Sequence, residues 1–395
     1  MGTESNLDEF KAKLCKFIHI GSSNHPWDKS VSFQSLALEL FSFQFESNLA
    51  YRTFCQARGA SPATVSHWSE IPAVPASAFK ELELTSLPHS ERTRVFYSSG
   101  TTGRSPSRHF HNSQSLVLYE TSLLAWFSKS VLPLRRLADD KWRLAIMTPP
   151  PTQAPNSSLV HMFATVAQAW PKQNPAFLAK TGPDGGWTLD SSATVLFLQD
   201  SISLNRPVLL LGAAFCFVHL LDYLLAENIR LRLPAGSLAL ETGGYKGRSR
   251  VLSGPELHEL ITAWLDIDRP YIIREYGMSE LCSQAYDVRG EWTIKDDEAT
   301  NQPASTLSAH PHQPNLPNRD FCFPPWARAQ IISPENGQEV GEGETGLIRV
   351  FDLANAYSVM AIQTEDLGVR RANGFNLVGR APVAEPRGCS LMVAS

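Results

Sequence analysis

Between residues 93 and 276 the chain alternates short apolar runs with longer segments of helical spacing, and that alternation narrows the possible folds more than any single motif. Segments 93–97, 142–148, 207–212, 238–242 and 271–276 have the length and apolar character of strands. Segments 113–129, 158–169, 215–228 and 255–267 repeat their apolar residues at the spacing of a helix face. Strand alternating with helix predicts an α/β fold with largely parallel pairing, and residues 91–298 are its core. Residues 1–90 read as a helical segment packed on that body. Within it, 33–51 is apolar at helical spacing and rich in phenylalanine (Phe41, Phe43, Phe45). Ile71-Pro72-Ala73-Val74-Pro75 then forces an extended entry to the core, because each proline restricts itself and the residue before it. Residues 299–326, rich in Pro, Asn and His, read as a surface loop. Residues 327–380 read as β-rich, with strands at 327–332 and 346–353 around a turn at Pro334-Glu335-Asn336-Gly337. A flexible tail at 381–395 carries Cys389.

Composition removes several function classes. A chain of 395 residues can bury a large core, and a net charge of −4 argues against a nucleic-acid footprint. The longest apolar run, 207–225, contains His219 and Asp222 and breaks at Gly212, so no membrane span is expected. Met1-Gly2-Thr3-Glu4-Ser5 has neither the basic start nor the apolar centre of a signal peptide. Cys15, Cys55, Cys216, Cys282, Cys322 and Cys389 are widely spaced without a CxxC pair, which fits reduced thiols and a cytoplasmic location. His310 and His312 read as solvated loop residues and Cys282 as a packed core residue. Gly341-Glu342-Gly343-Glu344-Thr345-Gly346 matches a dinucleotide fingerprint only in letters, since its glutamates would repel pyrophosphate and a strand follows it. There is no GxSxG elbow, and His258-Glu259 lacks the second histidine of a zinc-protease helix.

What remains is a set of nucleotide-type motifs in order. Ser98-Ser99-Gly100-Thr101-Thr102-Gly103 follows a predicted strand, and small hydroxyl residues and glycines let backbone N–H groups converge on phosphate. It is not a Walker A loop, having no lysine, and taken alone such a run is more often an ordinary polar turn. Tyr276-Gly277-Met278-Ser279-Glu280 ends another strand, where open α/β sheets bind their ligands. There Tyr276 is a candidate to stack on adenine, Ser279 to bond phosphate and Glu280 to hold Mg²⁺. Gly243 and Gly244 follow Thr242 and would bring bare backbone close to a purine. Asp366, in Thr364-Glu365-Asp366-Leu367-Gly368, suits ribose hydroxyls, and Arg380 suits ribose or phosphate. The plainer readings are an acidic turn for the first and a surface cation for the second.

As an ordered set these motifs resemble the adenylate-forming superfamily, and more closely the acyl-protein synthetases of bacterial bioluminescence (the LuxE type). The closer resemblance rests on Ile71-Pro72-Ala73-Val74-Pro75 with Phe79-Lys80, on Arg104-Ser105-Pro106-Ser107-Arg108 after the phosphate loop, and on Met147-Thr148-Pro149-Pro150. Ser157-Ser158-Leu159 with His161-Met162, Asp352-Leu353-Ala354-Asn355 and Arg387-Gly388-Cys389-Ser390-Leu391 complete it, over roughly residues 60–391. The resemblance implies the large domain of an adenylate-forming enzyme, using ATP and Mg²⁺ to convert a carboxylic, fatty acid to acyl-AMP. It further implies acyl transfer to a cysteine matched by Cys389, and delivery to a reductase partner. His161 is a candidate base or acyl-pocket residue. Two departures stand out. Arg104 and Arg108 replace the superfamily's lysine beyond the phosphate loop, and only fifteen residues follow Arg380, so the usual mobile domain with its catalytic lysine is expected to be missing. Lys246, in Gly243-Gly244-Tyr245-Lys246-Gly247-Arg248, is the in-chain candidate for that cation. Two rival readings stay open: a biosynthetic ligase that delivers the acyl group to a carrier protein, CoA or an amine, and a non-catalytic nucleotide- or acyl-binding subunit. The presence of Ser99, Thr101, Glu280, Asp366 and Arg380 together argues against the second.

Overall fold

The computed structural model describes residues 2–22, 32–98, 105–132, 141–169, 175–183, 185–245, 249–288 and 319–381. Its centre is a parallel unit. Strands β4 (Arg143–Ile146), β5 (Ala176–Phe177), β8 (Val208–Ala213), β9 (Leu238–Thr242) and β10 (Ile272–Tyr276) pair in the order β5-β4-β8-β9-β10. Every residue of β8 and β9 is buried, as expected of strands covered on both faces. Alternate residues serve opposite cores: Leu209, Leu211, Leu238 and Leu240 join one cluster, and Val208, Leu210 and Ala239 the other. The first core contains α1 (Gly2–Ser22), α2 (Phe33–Ser47), α5 (Ser113–Ser130) and α6 (Ser158–Gln168). The second contains α7 (Ser191–Ser203), α8 (Ala214–Ala226) and α9 (Gly254–Leu265). Local signals fix these helices: α9 starts at a Ser253/Glu256 capping box with Pro255 in its first turn, and ends at Asp266 with φ 58°.

The expected α/β fold is thus present, with two differences from the periodic reading. The predicted helix 33–51 is two helices, because Asn48 closes α2 and its side-chain oxygen accepts from Tyr51 N to start α3 (Leu49–Gln56). The pairing is mixed rather than largely parallel. Beyond β10 the sheet continues antiparallel through β11 (Ala285–Val288), β12 (Asp320–Cys322), β16 (Gly374–Arg380), β15 (Ala361–Arg371), β14 (Thr345–Asp352) and β13 (Ala327–Ile332). With β1 (Val74–Pro75, followed by the one-turn helix α4, Ala78–Glu81) parallel to β15, the sheet holds twelve strands among the described residues. The surface-loop reading of 299–326 fails at its end, where β12 lies inside the sheet and Trp326 is fully buried; 299–318 lie outside the described residues. The acidic-turn reading of Asp366 fails as well, since that residue is in β15. Two small hairpins complete the fold: β2 (Arg94–Tyr97) with β3 (Arg108–His111), and β6 (Ala179–Thr181) with β7 (Trp187–Leu189).

Candidate active site

The C-terminal end of β10 meets the β15–β16 pair. Asp366 stands opposite Arg380 in that ladder, just before a register shift at Leu367/Gly368. Tyr276 OH donates to Asp366 Oδ2 at 2.9 Å, and Arg380 Nε lies 3.8 Å from Asp366 Oδ1. Tyr276 is held by the rings of Phe375, Phe321 and Phe323, at centroid distances of 5.3, 6.1 and 6.2 Å. Burial raises the Tyr276 phenol well above its ordinary range, so it remains a donor. Burial also raises the Asp366 carboxyl, against the opposing pull of Tyr276 and Arg380. Three residues predicted separately therefore form one polar group, with most of the Arg380 side chain exposed.

The turn after Tyr276 is pinned from several sides. Ser279 Oγ donates to Glu280 Oε2 at 2.9 Å, and Asn355 Nδ2 donates to Glu280 O at 2.7 Å. Asp352 accepts from Cys282 N, Ser283 N, Ser283 Oγ and Ala354 N at 2.7 to 3.0 Å. Ser283 Oγ lies 2.9 Å from Ser122 Oγ, which accepts from the buried Trp326 indole. Helix α2 joins in through Gln44, which donates to Asn355 O and accepts from Met360 N. The Glu280 carboxylate is buried, and among the described residues no basic side chain pairs with it. Hard oxygen donors without a protein cation beside them are the donor set that suits a divalent metal.

Gly277 lies close under its neighbour, so a Cβ there would make the Glu275 carboxylate shift. Glu275 accepts from Thr242 Oγ1, and burial raises its pKa to about 7. Gly243 and Gly244 follow Thr242 at the end of β9; a Cβ on Gly243 would touch nothing, and Gly244 has φ 101°. Beneath them Glu241 Oε1 is 3.0 Å from Arg274 Nε and 3.3 Å from His258 Nε2. Burial pushes the Glu241 carboxyl up, but those two partners outweigh it and hold it below the ordinary range.

Ser98 sits at the neck of the β2–β3 hairpin, where its hydroxyl accepts from Ser107 N at 2.9 Å and its N–H donates to Ser107 O at 3.2 Å. The hairpin is tied to the acidic turn by His109, whose Nδ1 is 2.8 Å from Ser279 O. Ser99, Gly100, Thr101, Thr102 and Gly103 lie outside the described residues, as do Lys246 and Cys389. His161 packs in α6 against Phe96 and Tyr119. Its Nε2 is 3.2 Å from Glu120 Oε1 without the angles of a hydrogen bond, and no described contact joins it to the Tyr276 group. Sequence reasoning missed His109 and His111; it read Cys282 as buried packing ahead of an acyl-pocket wall, and Cys282 is indeed buried in the core. A His-x-His pair before a predicted helix was the available signal. Burial holds the His109 imidazole down at about 4, holds His111 well below its ordinary range, and pushes the Cys282 thiol up.

Solved structures share this architecture. 2-Hydroxyisobutyryl-CoA ligase with 2-HIB-AMP and CoA in the thioesterification state matches with a TM-score of 0.62 at 13% identity, covering 91% of this chain and 70% of that one. Its open conformation with the same ligands gives 0.60 at 12% identity, covering 91% and 75%. The fold is therefore that of the adenylate-forming ligases. Residues 24–295, more than half of the chain, match the family model "Acyl-protein synthetase, LuxE", and the chain belongs to that family. Two relatives are named long-chain-fatty-acid–luciferin-component ligase. The one from Vibrio harveyi is 21% identical over 367 residues, 90% of this chain and 85% of the relative. The one from Aliivibrio fischeri is 22% identical over 372 residues, 91% and 87%. The chain is an ATP-dependent, AMP-forming acyl ligase, which sets aside the non-catalytic reading. Among the described residues no helix is long and apolar enough to cross a membrane.

Proposed function

We propose that this ligase activates a long-chain fatty acid and passes the acyl group to the Cys389 thiol, from which a reductase partner receives it. The observation that carries the nucleotide half is the meeting of Tyr276, Asp366 and Arg380 beside the Ser279–Glu280 turn. Asp366 retains acceptor capacity beyond its bond from Tyr276, which suits ribose hydroxyls, and the exposed Arg380 fork reaches ribose or phosphate. Ser98, Ser99, Gly100, Thr101, Thr102 and Gly103 cradle the phosphates, and Gly243 and Gly244 leave room for the purine. Ser279 suits a phosphate oxygen and Glu280 fits Mg²⁺, which when bound offsets phosphate charge. Lys246 is the candidate for further cationic compensation, and His161 for an acyl-pocket wall or base.

In the first half-reaction a carboxylate oxygen of the acid bonds to the α-phosphorus as the bond to the bridging oxygen breaks, and pyrophosphate leaves with the electron pair. In the second, the thiolate sulfur attacks the acyl carbon and AMP leaves. Arg387 beside Cys389 favours the thiolate. Among the described residues Cys15, Cys55, Cys282 and Cys322 are unbridged, which fits a cytoplasmic setting.

ATP–pyrophosphate exchange with carboxylic acids of graded chain length tests the first half, and activity should rise with long-chain acids. Incubation with ATP, Mg²⁺ and labelled fatty acid should leave hydroxylamine-sensitive label on the protein. Cys389→Ser should abolish that label and preserve exchange. Label that survives the substitution, or never forms despite active exchange, removes Cys389 as acceptor and supports delivery to a carrier protein, CoA or an amine.

A further inference from the structure

Behind the Ser279–Glu280 turn lies a buried trio of soft and borderline donors, His109, His111 and Cys282, and we propose that it binds zinc. His109 and His111 are alternate residues of β3, so both imidazoles leave the same face of the hairpin. Cys282 meets them from the far side of the turn. One ligand atom from each residue lies within 4.8 Å of the other two, and all three residues are buried.

The hydrogen bonds around the trio fix the His109 tautomer and accommodate the matching one at His111. His109 Nδ1 faces the Ser279 carbonyl at 2.8 Å, and a carbonyl only accepts, so Nδ1 carries the proton and Nε2 the lone pair. His111 Nδ1 is 3.1 Å from Ser115 Oγ. That hydroxyl can donate to Asn112 O at 3.0 Å while it accepts from His111, the arrangement that leaves Nε2 free for a ligand. His111 Nε2 is left as a buried lone pair with no hydrogen-bond partner among the described residues, and the nearby Cys282 thiol does not supply one. A buried acceptor without a partner destabilises a fold unless something binds it. An imidazole whose Nδ1–H is anchored on an oxygen keeps Nε2 for a metal, and one ring nitrogen from each histidine lies within 4.8 Å of the other and of the Cys282 sulfur.

A two-nitrogen, one-sulfur donor set suits zinc better than a hard cation. Donors up to 4.8 Å apart close by roughly 1 Å to reach zinc bond lengths of about 2.0–2.3 Å. On binding, two Nε2–Zn bonds and one S–Zn bond form, and the thiol proton leaves to solvent. Among the described residues no fourth histidine, cysteine or carboxylate joins the group, so water takes the remaining tetrahedral position. The ion ties the stem of the phosphate hairpin to the turn bearing Ser279 and Glu280, reinforcing the bond that His109 makes to Ser279.

The test uses the purified full chain and no activity assay, so its failure is separate from a failure of pyrophosphate exchange. Elemental analysis should find about one zinc per chain. After chelation, cobalt(II) should restore a thiolate-to-metal charge-transfer band. Cys282→Ser should lose that band, His111→Ala should weaken metal binding roughly 10-fold or more, and the His310→Ala/His312→Ala pair should keep both. Only trace zinc together with no cobalt–thiolate band in the wild-type protein overturns the site, as does a band that persists in Cys282→Ser. Because the wild-type spectrum is itself decisive, a variant that fails to fold does not shelter the proposal.

Discussion

Glu275→Gln removes an ionisable group from beneath the nucleotide end of β10 while keeping its shape. The residue is 6% exposed, its carboxylate accepts from Thr242 Oγ1, and Glu241 lies close enough to repel its charge. Burial is the main cause that raises its pKa from 4.5 to about 7; Glu241 adds to the rise, and the Thr242 bond opposes it. Between those two values the folded chain holds a proton that the unfolded chain has released. Stability from this group is therefore fully present below 4.5 and is lost as pH rises through about 7. A displacement of this size corresponds to roughly 3 kcal/mol. The glutamine variant has no such dependence. Relative to wild type it should gain roughly 3 kcal/mol between about pH 5 and pH 8, or several degrees in Tm. Melting both proteins in the same buffers across that range cancels every other titrating group. A difference in Tm that stays constant with pH would refute the reasoning, because the carboxyl would then ionise alike in both states.

Glu280→Gln should reduce pyrophosphate exchange by roughly 10²-fold or more, since it removes the candidate metal carboxylate without changing its shape; near-normal exchange excludes that role. Tyr276→Phe deletes the 2.9 Å bond to Asp366 and should raise the KM for ATP by roughly 10- to 100-fold, from about 1.5–3 kcal/mol for a hydrogen bond to a charged group. Asp366→Ala should also lose discrimination between ATP and 2′-deoxy-ATP, and retained discrimination would put the ribose contact elsewhere. Asp352→Asn turns an amide nitrogen toward donors that now meet carboxylate oxygen, and should cost about 2–4 kcal/mol in chemical denaturation. An effect below about 0.5 kcal/mol would mean that the turn holds without it.

Periodicity is a local property, and what it controls was legible in the chain. The runs that became β4, β8, β9 and β10, and the helices α6, α8 and α9 between them, form because each buries apolar residues at its own spacing. The capping box of α9 and the glycine beside Glu275 belong to the same class of short-range cause. The nucleotide motifs were readable as types of residue, but their association was not. Asp366 looked like a turn residue because an acidic stretch ending in glycine is polar; its place in a strand comes from pairing with β14 and β16 on either side. Tyr276 reaches Asp366 only because the sheet turns antiparallel after β10 and brings β16 and β15 round beside it. The same long-range closure sets Cys282 against two histidines of the phosphate hairpin. Sequence alone thus determined the strands and helices of the parallel unit and which residue types could serve ATP chemistry, since both follow from neighbours in the chain. The tertiary structure decided which of those side chains share a site, because sheet order and register are set by the packing of segments far apart in sequence.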